Sequence, residues 1–279
     1  MSIIDAHQHF WDPARGDYGW LTPALPDLYR PFLPADLWPL LDEAGIAGTI
    51  LIQAAPTAAE TDYMLGLAAA TPWIKGVVGW VDLDAPDAAE QIERRQALAN
   101  FVGIRPMLQD LDDPAWILAP GRAPALAALE TAGLAFDALV TPAQLACVPE
   151  LARRYPDLRI IINHGAKAPI GAGPQPGWQA DMVAAAGFAN VSCKLSGLLT
   201  ELVPGADDAA VLERMALLLD LFGPQRLIWG SDWPVLERAA PYGHWHKLTR
   251  TFLARLSPEA RAAIMGGNAM RIYAKGHVT

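Results

Sequence analysis

The chain has 279 residues, 52% of them hydrophobic and 18% charged, with a formal net charge of −9 at pH 7. The acidic excess excludes the clustered Lys and Arg of a nucleic-acid binder, and no apolar run approaches the roughly 18 residues of a membrane span. A barrel domain of about 250 residues fits within this length, so a single domain over residues 1–279 is expected.

The N-terminus enters a strand-like run with no basic or apolar leader pattern, and Cys147 and Cys193 are too few for a disulfide scaffold. A cytoplasmic location is the expectation, with both thiols acting as small buried hydrophobes.

The first predicted strand, 3–7, carries His7, and His9 follows two positions on, a spacing that turns both side chains to one face. A loop rich in Trp, Tyr, Phe and Pro then runs over 8–34, past Trp11 and Trp20. It is far longer than the usual 2–6 residues or so of a βα connection. A helix over 35–44 leads to a second strand, 48–53, ending on Gln53. A helix over 59–70 precedes a third strand, 76–82, with Trp80 and Asp82 at its end. A helix over 85–100 precedes a fourth strand, 102–107, which carries Arg105 and opens a second long loop over 108–120. The fifth strand, 134–140, holds Asp137 and is followed by a helix over 142–155. The sixth, 159–164, ends on His164, with Lys167 in the loop 165–177. The seventh, 190–196, places Lys194 in an apolar setting, and a helix over 209–221 follows. The eighth, 226–231, runs into Asp232 and Trp233 and a last long loop over 233–243. Ser257-Pro258-Glu259 supplies an N-cap and a proline at the first helical position, which opens an extra C-terminal helix. His244 and His246 read as surface or interface residues, and His277 falls in the tail.

Strand and helix alternate throughout, the pattern of parallel βαβ units, and eight units close a (β/α)8 TIM barrel. A doubly wound sheet would carry a Gly-rich turn after its first strand, and Ala6-His7-Gln8-His9-Phe10 is not one. Every long loop follows a strand C-terminus, the face where such barrels hold their active sites.

Three imidazoles (His7, His9, His164) and the Asp232 carboxylate therefore converge on the mouth. This set can bind one zinc ion and leave a position for water, or it can hold a water without metal, with Asp232 as general base. Arg105 offers a rigid donor fork for a carbonyl, or an ion pair with Asp82 or Asp137. Lys194 in an apolar strand needs a partner or a wet cavity, which points to the mouth. Gln53, Asp82, Asp137 and Lys167 are candidates for binding substrate hydroxyls, with Gln109 and Asp110 behind them. Trp11, Trp20, Trp80 and Trp233 offer aromatic faces for a sugar ring.

The segments Asp5-Ala6-His7-Gln8-His9-Phe10-Trp11-Asp12, Gly79-Trp80-Val81-Asp82-Leu83, Gly103-Ile104-Arg105, Cys193-Lys194-Leu195-Ser196-Gly197 and Gly230-Ser231-Asp232-Trp233-Pro234 resemble the amidohydrolase superfamily. The similarity is strongest to its sugar-lactonase branch, akin to 2-pyrone-4,6-dicarboxylate lactonase, and it extends to Gly267-Asn268-Ala269. The resemblance implies a barrel hydrolase that opens a small sugar lactone, with the family's metal ligands falling on His7, His9, His164 and Asp232. Catalytic roles are expected of Asp232 and His164, and, from the residue types and their places, of Arg105 and Lys194. Binuclear relatives carry a bridging Lys or Glu on the fourth strand and a His on the fifth. Here those strands offer Arg105 and Asp137, so one divalent metal or none is expected. Metal-dependent decarboxylation, a dicarboxylate lactone and a non-enzymatic sugar-binding barrel are the alternative readings. The expected partner is a small molecule, with oligomeric state left open.

Overall fold

The computed structural model describes residues 2–274, so His277 lies outside the described residues. Eight parallel strands pair in sequence order: β1 (Ile3–Gln8), β2 (Ile46–Ile52), β3 (Ile74–Gly79), β4 (Phe101–Ile104), β5 (Ala135–Ala138), β6 (Arg159–Ile162), β7 (Val191–Leu195) and β8 (Leu227–Trp229). The ring closes at the mouth, where the Asp232 amide donates to the His7 carbonyl (2.7 Å) and the His9 amide to the Trp233 carbonyl (2.8 Å). The closing seam thus places the first-strand histidines beside Asp232. This is a TIM barrel and not the doubly wound alternative.

Helices α1 (Pro34–Ala44), α2 (Ala58–Ala70), α3 (Ala88–Gln96), α4 (Ala123–Ala132), α5 (Cys147–Arg154), α6 (Pro176–Ala186), α7 (Asp208–Phe222) and α8 (Tyr242–Leu253) sheath the barrel. The helices expected over 85–100 and 142–155 are shorter than the sequence suggests, because turns occupy their ends. Ser257 caps α9 (Pro258–Ala262), as expected, by accepting from the Ala260 amide. The chain then continues into α10 (Asn268–Ile272), which packs beneath β1 and β8.

The strands bury both faces, which is why they read as apolar runs. Outward residues such as Leu51, Phe101, Ile162 and Leu227 meet the helices. Ile4, Ala6, Ile50, Ile52, Val78, Val102, Ala135, Ile161 and Ile228 form a separate inner cluster, completed from below by Ala269, Ile272 and Tyr273. Apolar layers fill the lower barrel, as the fold requires. Above them the interior turns polar: His7, Arg105, Asp137, Asn163 and Lys194 are all buried.

The long first loop is an ordered wall. Trp11 and Phe32 exchange backbone hydrogen bonds, and the Trp11 indole donates to the carbonyls of Leu28 and Arg30. The Trp20 indole donates to the Ala54 carbonyl at 2.7 Å. Cys147 and Cys193 are buried and unpaired, and burial pushes both thiols up to about 12. His246 is a correction: it is buried on α8 with its ring 5.5 Å from that of Trp229, whereas His244 is exposed and pairs with Asp208. Two residues of α8 turn the helix by about 200°, which points the imidazole at 246 inward and leaves 244 outside.

Candidate active site

Asp232 Oδ1 stands 3.3 Å from His9 Nε2, 3.5 Å from His7 Nε2 and 3.8 Å from His164 Nε2. Three local devices bring these side chains together. The β1–β2 register shifts between Asp5 and Gln8, so His7 turns into the barrel although Ala6 already faces it. Bulges of this kind re-aim side chains beside active sites. His164 begins a left-handed turn in which four successive residues, His164 to Lys167, have φ between 52° and 61°. Side chains other than glycine's reach that region at a cost of roughly 1–2 kcal/mol each, and such strain gathers at functional sites. Asp232 itself has φ 65°.

Two glycines make room for this geometry. A Cβ on Gly230 would lie 2.6 Å from His7 Cβ. A Cβ on Gly197, where φ is +61°, would collide with the His164 imidazole.

The proton inventory constrains the site. His9 Nδ1 lies 2.8 Å from the Ile52 carbonyl, which only accepts, so Nδ1 carries the proton. In a neutral ring, Nε2 then presents a lone pair to the Asp232 carboxylate, another acceptor, and the pair needs a cation between them. A proton can fill that role, and so can a metal ion. Burial lowers the histidine pKa values, that of His164 to about 3 and that of His7 well below its ordinary value. Burial alone would raise Asp232, but His164, the His9 hydrogen bond and Lys167 outweigh it and bring the carboxyl to about 2.

This donor set fits one zinc ion. His7, His9 and Asp232 offer ligand atoms within 4.8 Å of one another. A tetrahedral zinc with bonds of about 2.0–2.2 Å holds its ligand atoms roughly 3.4 Å apart, close to the separations seen around Asp232 Oδ1. One contact competes with it: Arg105 Nη1 lies 3.2 Å from His7 Nε2 and must leave that lone pair for a metal to take it.

Above the cluster opens a cavity of about 240 Å³. His9, His164, Asp232, Arg105 and Lys167 form its polar floor, and Trp11, Trp20, Leu25, Leu28, Leu139 and Val235 its apolar side. Lys167 donates to Gln109 Oε1 at 2.9 Å, and Asp110 and Arg238 stand at the rim. Arg238, Met107, Val235, Leu25, Leu28 and Leu139 were not among the residues singled out from sequence. They lie in loops or just past strand ends, where no periodicity reports direction.

Other expected site residues sit elsewhere. Gln53 is buried with its carbonyl oxygen accepting from Arg105 Nε (2.9 Å) and its amide donating to Ala55 (3.1 Å), so it braces Arg105 and does not line the cavity. The other Arg105 partners are the Gln53 carbonyl, His7 and Asn163, and neither Asp82 nor Asp137 pairs with it. Trp80 and Asp82 line a neighbouring cavity of about 250 Å³ beside Trp116. Trp233 is 1% exposed, packed against Phe10 and Phe32, with its indole donating to Glu237. Lys194 and Asp137 form a fully buried pair at 2.6 Å, below the mouth and not in it. Each departure has one cause: strand-end position fixes height in the barrel, but bulges and polar partners fix where a side chain points.

The amidohydrolase family model matches residues 4–275. The chain is 46% identical to an L-fucono-1,5-lactonase from Burkholderia ambifaria, over 97% of this chain and 94% of that protein. It is 34% identical to an L-fucono-1,5-lactonase from Burkholderia multivorans, over 97% of this chain and 95% of that protein. The crystal structure of an amidohydrolase from Burkholderia multivorans with bound zinc superposes with a TM-score of 0.92 at 34% identity, covering 99% of this chain and 100% of that one.

Proposed function

This chain belongs to the amidohydrolase family, and from that premise we propose that it hydrolyses sugar lactones with Asp232 as the base and an L-fucono-1,5-lactone-like ring as the substrate. It is a hydrolase acting on a lactone ester. The observation that carries the mechanism is the Asp232 carboxylate ringed by three imidazoles on the floor of the cavity.

A water held by Asp232 attacks the lactone carbonyl. Its proton becomes acidic as the new C–O bond forms, and Asp232 accepts it. Arg105, 3% exposed and braced by Gln53, carries a fixed positive charge on the same floor, which suits a developing oxyanion. The protonated Asp232 then donates to the departing ring oxygen, so the ester opens to a hydroxy acid with no covalent intermediate. His7, His9 and Asp232, with His164 alongside, would hold a divalent metal, and a bound zinc would lower the pKa of its water and polarise the carbonyl. Buried free thiols support a reducing, cytoplasmic setting, and no helix among the described residues is long and apolar enough to cross a membrane.

Asp82 and Asp137, whose charge would repel an anionic ring, line no part of the cavity, whereas Arg105, Lys167 and Arg238 do. Electrostatics therefore does not by itself separate an anionic substrate from a neutral one. What supports the sugar reading is the pair of lactonase relatives and the apolar side. Leu25, Leu28, Trp11 and Trp20 suit the methyl group of a 6-deoxy sugar next to polar groups for its hydroxyls. The test is a proton-release panel corrected for spontaneous ring opening. The kcat/KM for L-fucono-1,5-lactone should exceed that of its 6-hydroxy counterpart by about 10- to 100-fold, the discrimination an apolar pocket achieves against an added hydroxyl. It should exceed that of 2-pyrone-4,6-dicarboxylate by at least about 100-fold. Turnover of the dicarboxylate without the sugar lactones would overturn the reading.

A further inference from the structure

We propose that Tyr273, at the end of the appended C-terminal helix, is a positioning residue for the reacting centre. It acts through a buried chain that runs up the barrel axis from Tyr273 to Asp137, Lys194 and His7. The proposal rests on the reading of His7 as part of that centre.

The Tyr273 ring belongs to the inner apolar cluster that closes the bottom of the barrel. Its hydroxyl passes through that layer and donates to Asp137 Oδ1 at 2.7 Å. The other carboxylate oxygen, Oδ2, accepts from Lys194 Nζ at 2.6 Å and from Asn163 Nδ2 at 3.0 Å. Lys194 Nζ lies 3.3 Å from His7 Nδ1 and 5.3 Å from the centre of the Tyr273 ring. His7 Nε2 is the atom that faces Asp232. Lys194 and Asp137 are 0% exposed and Tyr273 is 4% exposed, so the chain is shielded from bulk solvent.

The geometry makes the chain directional. Asp137 sits where polar and apolar layers meet, and Tyr273 is its one donor from below among the described residues. The hydroxyl fixes the carboxylate plane, which fixes where Lys194 ends, which sets the hydrogen-bond partner of His7 Nδ1. Outer partners of this kind orient a functional imidazole and determine which ring nitrogen is free. Without the hydroxyl, Asp137 Oδ1 is a buried acceptor with no partner, and the carboxylate gains by turning toward another donor. Lys194 Nζ follows it and the His7 ring loses its tether. A misplacement of about 1 Å at a reacting group can cost 100-fold in rate. The two links between Tyr273 and His7's support soften that, and about tenfold is expected. Tyr273 does not line the cavity.

Tyr273→Phe keeps the ring and removes the hydroxyl. The expected result is a kcat about tenfold lower with KM changed less than twofold. A purely structural role moves stability alone, so a second readout is needed. In protein labelled with 15N in its histidine rings, the His7 Nδ1 resonance should shift in Tyr273→Phe while those of His9 and His164 stay in place. Asp137→Asn, which keeps the shape but weakens the hold on Lys194, should shift the same resonance. A Tyr273→Phe protein with wild-type kcat and an unmoved His7 resonance overturns the proposal even if its Tm has fallen, provided His7→Gln is inactive. If His7→Gln turns over like the wild type, the reading of the centre fails and this inference falls with it.

Discussion

At the scale of single residues, the site is a carboxylate whose ionisation its neighbours have settled. Asp232 lies at about 2, and burial has lowered the three imidazoles around it. A carboxyl with a depressed pKa stays charged until the pH falls toward that value, so the base is available across the whole neutral and mildly acid range. The kcat/KM profile, corrected for spontaneous hydrolysis, should therefore be flat from pH 8 down to about pH 5. An acid limb with an apparent pKa of 5 to 7 that vanishes in Asp232→Asn would show that the carboxylate titrates where this geometry says it does not. Asp232→Asn should itself lower kcat by at least about 100-fold, the low end for loss of a general base, and leave the fold intact because the Asp232 backbone amide still closes the barrel.

At the scale of elements, the active-site strands are joined to turns that a regular chain avoids. The left-handed segment 164–167 brings both His164 and Lys167 to the cavity, and Gly197 after β7 leaves the space the imidazole occupies. Ser196 Oγ, 3.0 Å from His164 Nδ1, fixes the ring from the same turn. Gly197→Ala adds a methyl group against that ring and puts an L side chain at φ +61°. The backbone alone costs about 1–2 kcal/mol, and the displaced imidazole adds a functional loss. Denaturant unfolding should show the variant destabilised by at least about 1 kcal/mol, with kcat more than tenfold lower. Unchanged stability and turnover would mean that the turn is not held as described.

At the scale of the whole molecule, the charge of the chain and the charge of its cavity differ in sign of emphasis. The protein carries a net −9, yet Arg105, Lys167 and Arg238 line the cavity against Asp110 and Asp232. Net charge reports on solubility and encounter, not on one site. The same arrangement bounds the metal content. The fourth strand is followed by a guanidinium and the fifth carries a carboxylate already bound by Tyr273, Lys194 and Asn163, so neither strand offers a free donor for a second ion beside His7, His9 and Asp232. Protein equilibrated with excess zinc and then dialysed should retain no more than one equivalent per chain by elemental analysis. Two tightly held equivalents, both lost in His7→Ala, would refute this.

The alternation of apolar strands with amphipathic helices determined the barrel by itself, because a parallel strand buried on both faces leaves an unmistakable run of Val, Ile and Leu. The strand ends placed His7, His9, His164 and Asp232 at one height, since position along a strand is a local property. Direction is not local. Lys194 and Asp137 were legible as polar residues in apolar strands, but only the packed barrel shows that they satisfy each other beneath the mouth. Gln53 was legible as a strand-end amide, but only the closed barrel, which brings Arg105 across from two strands away, shows that its task is to hold Arg105. Arg238, Leu25 and Val235 line the cavity from loops that carry no period. The contact from Tyr273 to Asp137 joins residues 136 positions apart, and no spacing in a sequence encodes a hydrogen bond made through the axis of a closed barrel.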